Sequence, residues 1–206
     1  MNHHLTNLIE RFPSLHDCAT EIERVFSLLA DCYRAGNKVL ICGNGGSAAD
    51  AEHWSAELMK GFYHTRPLSG AIAGKLPPDI ASNLQGALPT IPLTGFPSFA
   101  TAFANDNDSE YLFAQLVMAL GKPGDVLIAI STSGNSRNIL HAVRTATARG
   151  VKTVGLTGRE GGRLVDLADV SIRVPATEVH LIQEYHMPVY HTLSLMLEEE
   201  FFGSSG

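Results

Sequence analysis

Val39-Leu40-Ile41-Cys42 leads straight into Gly43-Asn44-Gly45-Gly46-Ser47, and Leu127-Ile128-Ala129-Ile130 leads into Ser131-Thr132-Ser133-Gly134-Asn135-Ser136. In both places an unbroken apolar run stops at glycine and hydroxyl residues, and a helical pattern follows. A strand covered on both faces needs such a run, whereas a strand with one wet face alternates. Each segment is half of a βαβ unit. Together they predict a parallel sheet with helices on both sides.

Outward from these runs the alternation continues. A helical region is predicted over residues 8–35, where Ala19, Ile22, Val25, Phe26, Leu29 and Cys32 recur at helical spacing and Gly36-Asn37 closes it. The first strand covers 38–42, and Ser47 stands where it can cap a helix reaching about residue 60. Residues 66–97 hold most of the ten prolines and read as loop, with one helical turn near 80–84 and a strand at 90–94. Helices follow at 99–104 and 109–120, then a strand at 125–131 and a helix from Ser136 to about Gly150. Strands at 151–157 and 170–174 flank a short helix opened by Gly161-Gly162, and a long helix spans 179–201. The expected fold is one α/β domain over residues 1–206, three-layered and doubly wound like flavodoxin. It has about five parallel strands, functional loops at their C-terminal ends, and a flexible tail at 203–206.

Composition narrows the function. The 206 residues are 45% hydrophobic and 17% charged, enough for a real core. The formal charge of -6 and the absence of a basic run argue against nucleic acid as a partner. Cys18, Cys32 and Cys42 are odd in number and show no C-x-x-C spacing, as expected of reduced thiols. Residues 1–15 lack the apolar core of a signal peptide, and no run is long enough to span a membrane. A cytoplasmic protein without a membrane partner is expected.

The two glycine loops have the chemistry of an anion site. Glycine lets backbone N–H groups come close to a ligand, helix N-termini present unpaired donors, and hydroxyls bond phosphate oxygens. Ordinary tight turns with serine caps have a similar sequence, but the hydroxyls of Ser131, Thr132, Ser133 and Ser136 crowd one loop. Neither loop matches the dinucleotide or Walker pattern, so a small phosphorylated ligand is favoured over a nucleotide.

Two helices carry acid–base and ligand chemistry. His53 and Glu57 are four apart and share a helix face, as ligands of one metal or as a proton-transfer pair. An exposed pair on a solvated face has the same spacing. The last helix offers His180, Gln183, Glu184, His186 and His191, and helical geometry alone permits several sets among them. Ile182, Val189, Leu193 and Leu197 form its packing stripe.

Residues 42–53 followed by Glu57, residues 130–136, Leu156-Thr157-Gly158 with Gly161-Gly162, and Gln183-Glu184 with His191 together resemble the phosphoheptose isomerase family, built on a sugar isomerase (SIS) domain. The likeness spans roughly residues 32–200. It implies conversion of sedoheptulose 7-phosphate to D-glycero-D-manno-heptose 7-phosphate through an enediol, in heptose and lipopolysaccharide biosynthesis. It further implies a homotetramer with sites between subunits and one zinc ion per subunit. Carried over, Glu57 and His191 are the catalytic acid–base pair. His53, Glu57, Gln183 and His191 are the zinc ligands, and Asn44, Gly45, Gly46, Ser47, Asn105, Asp106, Ser131, Thr132, Ser133, Ser136 and Gln183 contact substrate.

Two departures accompany the likeness. An extra segment lies within 67–92, and the order Lys60-Gly61-Phe62 replaces a basic residue that follows glycine in the family. Two other functions fit the same motifs. One is a SIS-fold isomerase or sensor for another sugar phosphate, which a substrate panel separates. The other is a non-catalytic partner of the replication initiator, which detectable turnover excludes.

Overall fold

The computed structural model describes residues 2–203. The chain opens with α1 (His3–Arg11), a 3-10 turn (Pro13–Cys18) and α2 (Ala19–Arg34), then β1 (Val39–Cys42) and α3 (Gly46–Met59). Two short helices, α4 (Gly70–Ala73) and α5 (Pro78–Asn83), precede β2 (Thr90–Pro92), α6 (Pro97–Asp106) and α7 (Leu112–Leu120). The second half runs β3 (Val126–Ile130), α8 (Arg137–Ala148), β4 (Lys152–Thr157), α9 (Leu164–Leu167), β5 (Val170–Arg173) and α10 (Val179–Phe202).

All five strands are parallel, in the order β2-β1-β3-β4-β5. This is the doubly wound order whose direction reverses between β1 and β3. Pleating sorts the core. Val39, Ile41, Val126 and Ile128 face α1, α2, α3 and α10, while Leu40, Cys42, Leu127 and Ala129 face α7, α8 and α9. Each fully buried aliphatic side chain stabilises this sandwich by about 1.5–3 kcal/mol.

Four local expectations change. The helix expected over 8–35 is broken, because Pro13 lacks an N–H and holds Phe12 out of the helical region (φ -132°, ψ 73°). Ser47 does not cap α3: the capping position is Gly45, and Ser47 is buried in the first turn. Residues 66–97 contain two short helices instead of one turn, and β2 is cut to three residues, with Pro92 tolerated on the sheet edge. Of the tail expected to be flexible, residues 204–206 lie outside the described residues.

One buried ion pair ties the end of α3 to α10. Arg66 and Glu198 are both fully buried, with Nε 2.8 Å from Oε1. Arg66 also donates to the carbonyls of Leu58 (2.7 Å) and Glu57 (3.0 Å), the last turn of α3. Glu198 accepts the backbone N–H groups of Phe62, Tyr63 and His64 at 2.8, 2.9 and 3.1 Å. Burial alone would raise its carboxyl pKa, but these donors and Arg66 together hold it below the usual range. Every lone pair of a buried charge is thereby used, the condition under which such a pair is tolerated.

Candidate active site

The glycine-rich loop after β1 and the hydroxyl-rich loop after β3 open side by side where the strand order reverses, the place where doubly wound sheets bind ligands. Asn44 and Asn138 join them by two reciprocal amide bonds of 2.9 and 2.8 Å. Gly45 adopts φ 55°, ψ -119°, a conformation that side chains avoid, and so turns the chain sharply into α3. At Gly46 an added Cβ would run into the Gln183 amide, so α10 rests directly on this loop.

The second loop is a cup braced from behind. Ser131 Oγ donates to Ser136 Oγ at 3.1 Å, and Asn135 N–H donates to Ser133 Oγ at 3.2 Å. Gly158 N–H and Thr157 Oγ1 both donate to the Thr132 carbonyl, and Leu164 N–H donates to the Gly134 carbonyl. Gly134 has φ 63° and lies so close to the Gly161 carbonyl that no side chain fits. Ser136 occupies the capping position of α8, yet its hydroxyl makes no capping bond; the Ile139 N–H donates to Asn138 Oδ1 at 3.0 Å, which leaves the Arg137 and Asn138 N–H groups at the loop end of α8.

The acid–base groups lie on α3 and α10. His53 Nε2 is 3.2 Å from Glu57 Oε1, and the Glu57 side chain is mostly buried. Lys60 Nζ reaches the other Glu57 oxygen at 3.4 Å, so the displaced basic residue meets the end of α3 itself. On α10, the His191 ring stands edge-on to His53 with centroids 5.1 Å apart, and Phe62 flanks it at 5.1 Å. Burial, reinforced by His53, lowers the His191 pKa, and its buried Nε2 has no hydrogen-bond partner among the described residues. The His191 imidazole thus stands next to His53 with its Nε2 free of a protein partner. His53 and Glu57 supply a 3.2 Å edge suited to a zinc ion, whose 2.0–2.1 Å bonds give ligand separations of about 3.3 Å, but among the described residues the ligand atoms of His53, Glu57 and His191 do not all lie within 4.8 Å of one another, so His191 would have to move in to complete a tetrahedral set. Gln183 lies eight residues before His191, roughly 12 Å along the helix axis, and would have to lean from Gly46 to complete the set.

The structure brings together Asn44, Gly45, Gly46 and Ser47 with Gln183, and Ser131, Thr132, Ser133 and Ser136 with each other. Asn105 and Asp106, at the end of α6, are exposed, and the Asn105 amide donates to Asp106 at 2.8 Å. Among the described residues no hydrogen bond draws them to the cup. Glu184 and His180 are exposed, which leaves Gln183 as the member of that group turned to the glycine loop.

Sequence reasoning missed Tyr190 and Asp50. Tyr190 Oη is 2.8 Å from His53 Nδ1 and 3.4 Å from Asp50 Oδ1, and its ring stacks on Trp54. Such a partner fixes the tautomer and orientation of the ring it bonds. Asp50 and His53 are three apart on α3, a spacing that could have disclosed the link. The cross-helix position of Tyr190 could not.

Comparison with known proteins follows the same lines. Two family models, each described as SIS domain, match residues 101–197 and 2–89. A phosphoheptose isomerase of Akkermansia muciniphila is 38% identical over 97% of this chain and 95% of its own. Among solved structures, a phosphoheptose isomerase from Francisella tularensis superposes with a TM-score of 0.77 at 31% identity, covering 92% of this chain and 91% of its own. That of Neisseria gonorrhoeae gives 0.73 at 32%, covering 95% and 91%.

Proposed function

The chain belongs to the phosphoheptose isomerase family, and from that premise we propose that it converts sedoheptulose 7-phosphate to D-glycero-D-manno-heptose 7-phosphate. The observation that supports the reading best is the partnerless His191 nitrogen on a ring next to His53 of the His53–Glu57 pair, on a helix whose Gln183 rests against the glycine loop at Gly46.

The phosphate is held by the hydroxyls of Ser131, Thr132, Ser133 and Ser136 and by the N-terminal donors of α8. Asn44, Gly45, Gly46, Ser47 and Gln183 hold the sugar end. Asn105 and Asp106 reach the substrate only if α6 or a second subunit brings them in. Glu57 takes the C1 proton of the ketose, forming an enediol, and returns a proton to C2. His191, neutral in its buried setting, carries the proton between the two oxygens. His53, Glu57, Gln183 and His191 would hold a zinc ion, which would polarise the carbonyl and steady the charge of the enediolate.

The family likeness also supports a homotetramer, and Met59, Tyr63 and Met187 are large apolar side chains exposed on one chain and suited to burial between chains. All three cysteines are free and buried, in keeping with a reducing cytoplasm and a role in supplying heptose for lipopolysaccharide. Among the described residues no helix is long and apolar enough to cross a membrane.

Turnover of sedoheptulose 7-phosphate, followed by NMR beside a panel of pentulose and hexulose phosphates, tests this reading. The aldoheptose phosphate should form fastest. A folded protein that isomerises only another ketose phosphate, or none, would overturn it.

A further inference from the structure

At the far end of α10 a second group of ligand side chains gathers, apart from the site described. His3 and His4, in the first turn of α1, face Glu199 near the end of α10. Glu199 lies eight residues beyond His191, about 12 Å further along the helix. His3 Nδ1 is 3.6 Å and His4 Nε2 is 3.5 Å from the same oxygen, Glu199 Oε2, and all three ligand atoms lie within 4.8 Å of one another. Those separations are too long for good N–H···O bonds, which fall near 2.7–3.2 Å. They are close to the edges of a tetrahedron around a cation with bonds of 2.0–2.1 Å, about 3.3–3.4 Å.

The surroundings favour a ligand role. The Asn2 side chain accepts the His4 N–H at 2.8 Å and so fixes the turn that carries both rings. Leu5 and Leu8 are buried and seat α1 on the core. The His4 ring is mostly covered. Glu199 is placed by its neighbour Glu198, which is locked to Arg66.

We propose that His3, His4 and Glu199 form a second divalent-cation site of the zinc, cobalt or nickel class, with a solvent molecule completing the coordination, that clamps the first turn of α1 to the end of α10. Two imidazoles and one carboxylate suit these metals and not magnesium or calcium, which take oxygen ligands.

The test uses the full chain carrying His53→Ala, which weakens the other candidate site, and titrates zinc chloride into the metal-stripped protein by calorimetry. One zinc ion per chain is expected to bind with micromolar or tighter affinity and to raise Tm by roughly 5–10 °C at a hundredfold excess over Kd. Adding Glu199→Gln, which keeps the shape, or His3→Ala with His4→Ala should weaken that binding at least tenfold. Amide exchange at Leu5 and Leu8 should slow with zinc only while the three ligands are intact. No zinc binding by the His53→Ala chain, or binding that Glu199→Gln and the double histidine variant leave unchanged, would overturn the proposal.

Discussion

The two βα loops and the α3–α10 helix pair make up one candidate site, yet they are assembled differently. Each loop is continuous in sequence: a strand end, a glycine turn, hydroxyls and a helix start follow within ten residues. The helix pair depends on residues far apart, Asp50, His53 and Glu57 on one helix and Gln183, Tyr190 and His191 on another, aligned by the buried Arg66–Glu198 pair. A binding function can be written in one stretch of backbone. An acid–base function has to be brought together by the core, so it depends on overall stability in a way the loops do not.

If that division holds, changes to the helix pair should strike kcat or stability, and changes to the loops should strike KM. The largest effect is expected from Glu57→Gln, which keeps the shape and removes the proton acceptor. kcat should fall by 10² to 10⁴ with KM and Tm little changed, by steady-state assay and calorimetry. A large rise in KM instead would move Glu57 to the binding side of the comparison.

Arg66→Leu comes next. It strands the Glu198 charge in the core, which should cost about 3–5 kcal/mol and lower Tm by roughly 6–20 °C. kcat should fall as well, because Arg66 holds the last turn of α3 and Glu198 holds Phe62 against His191. An unchanged Tm would show that the two helices do not rely on this pair.

Acid gives the third test, at the seam between the two regions. His186 lies fully buried on α10 beside the Thr157 backbone, and Gly158, the next residue, donates to the Thr132 carbonyl of the phosphate cup. Burial pushes its pKa down from 6.5 to about 4, against a smaller opposing pull from Thr157. The folded state therefore binds fewer protons than the unfolded state between those values. Its contribution to stability is complete above pH 6.5 and is lost as pH falls through about 4, some 3 kcal/mol in all. Chemical unfolding at pH 7 and pH 4 should show that loss, and His186→Gln should flatten it.

The smallest expected effect is in the cup. Ser136→Ala should raise KM for the phosphorylated sugar about tenfold, the worth of one hydrogen bond to a charged group, and leave kcat nearly intact. A fall in kcat alone would mean that the cup shapes the reaction step as well.

The same division explains what the sequence disclosed. The parallel sheet and both loops were legible because buried strands and glycine turns are local patterns. The break at Pro13 was legible in principle from the missing N–H, but the apolar spacing from Ala19 to Cys32 concealed it. Ser47 had the chemistry of a cap, and the unusual backbone of Gly45 displaced it. The choice among Gln183, Glu184 and His191 could not be made from one helix. The family resemblance chose Gln183 and His191, and the structure seats these two against Gly46 and His53, which approach from another element. Tyr190 read as packing because its role depends on where α3 crosses α10.

The central claim is that Glu57 takes the C1 proton of the ketose, exchanges it with solvent while the enediol lasts, and delivers a proton to C2. It is tested most directly by running the reaction in deuterium oxide and reading solvent deuterium in the heptose phosphate by NMR. The account predicts deuterium at C2 of the product from the native protein, and neither product nor exchange at C1 of the ketose with Glu57→Gln. Undiminished exchange or turnover in that variant would contradict it.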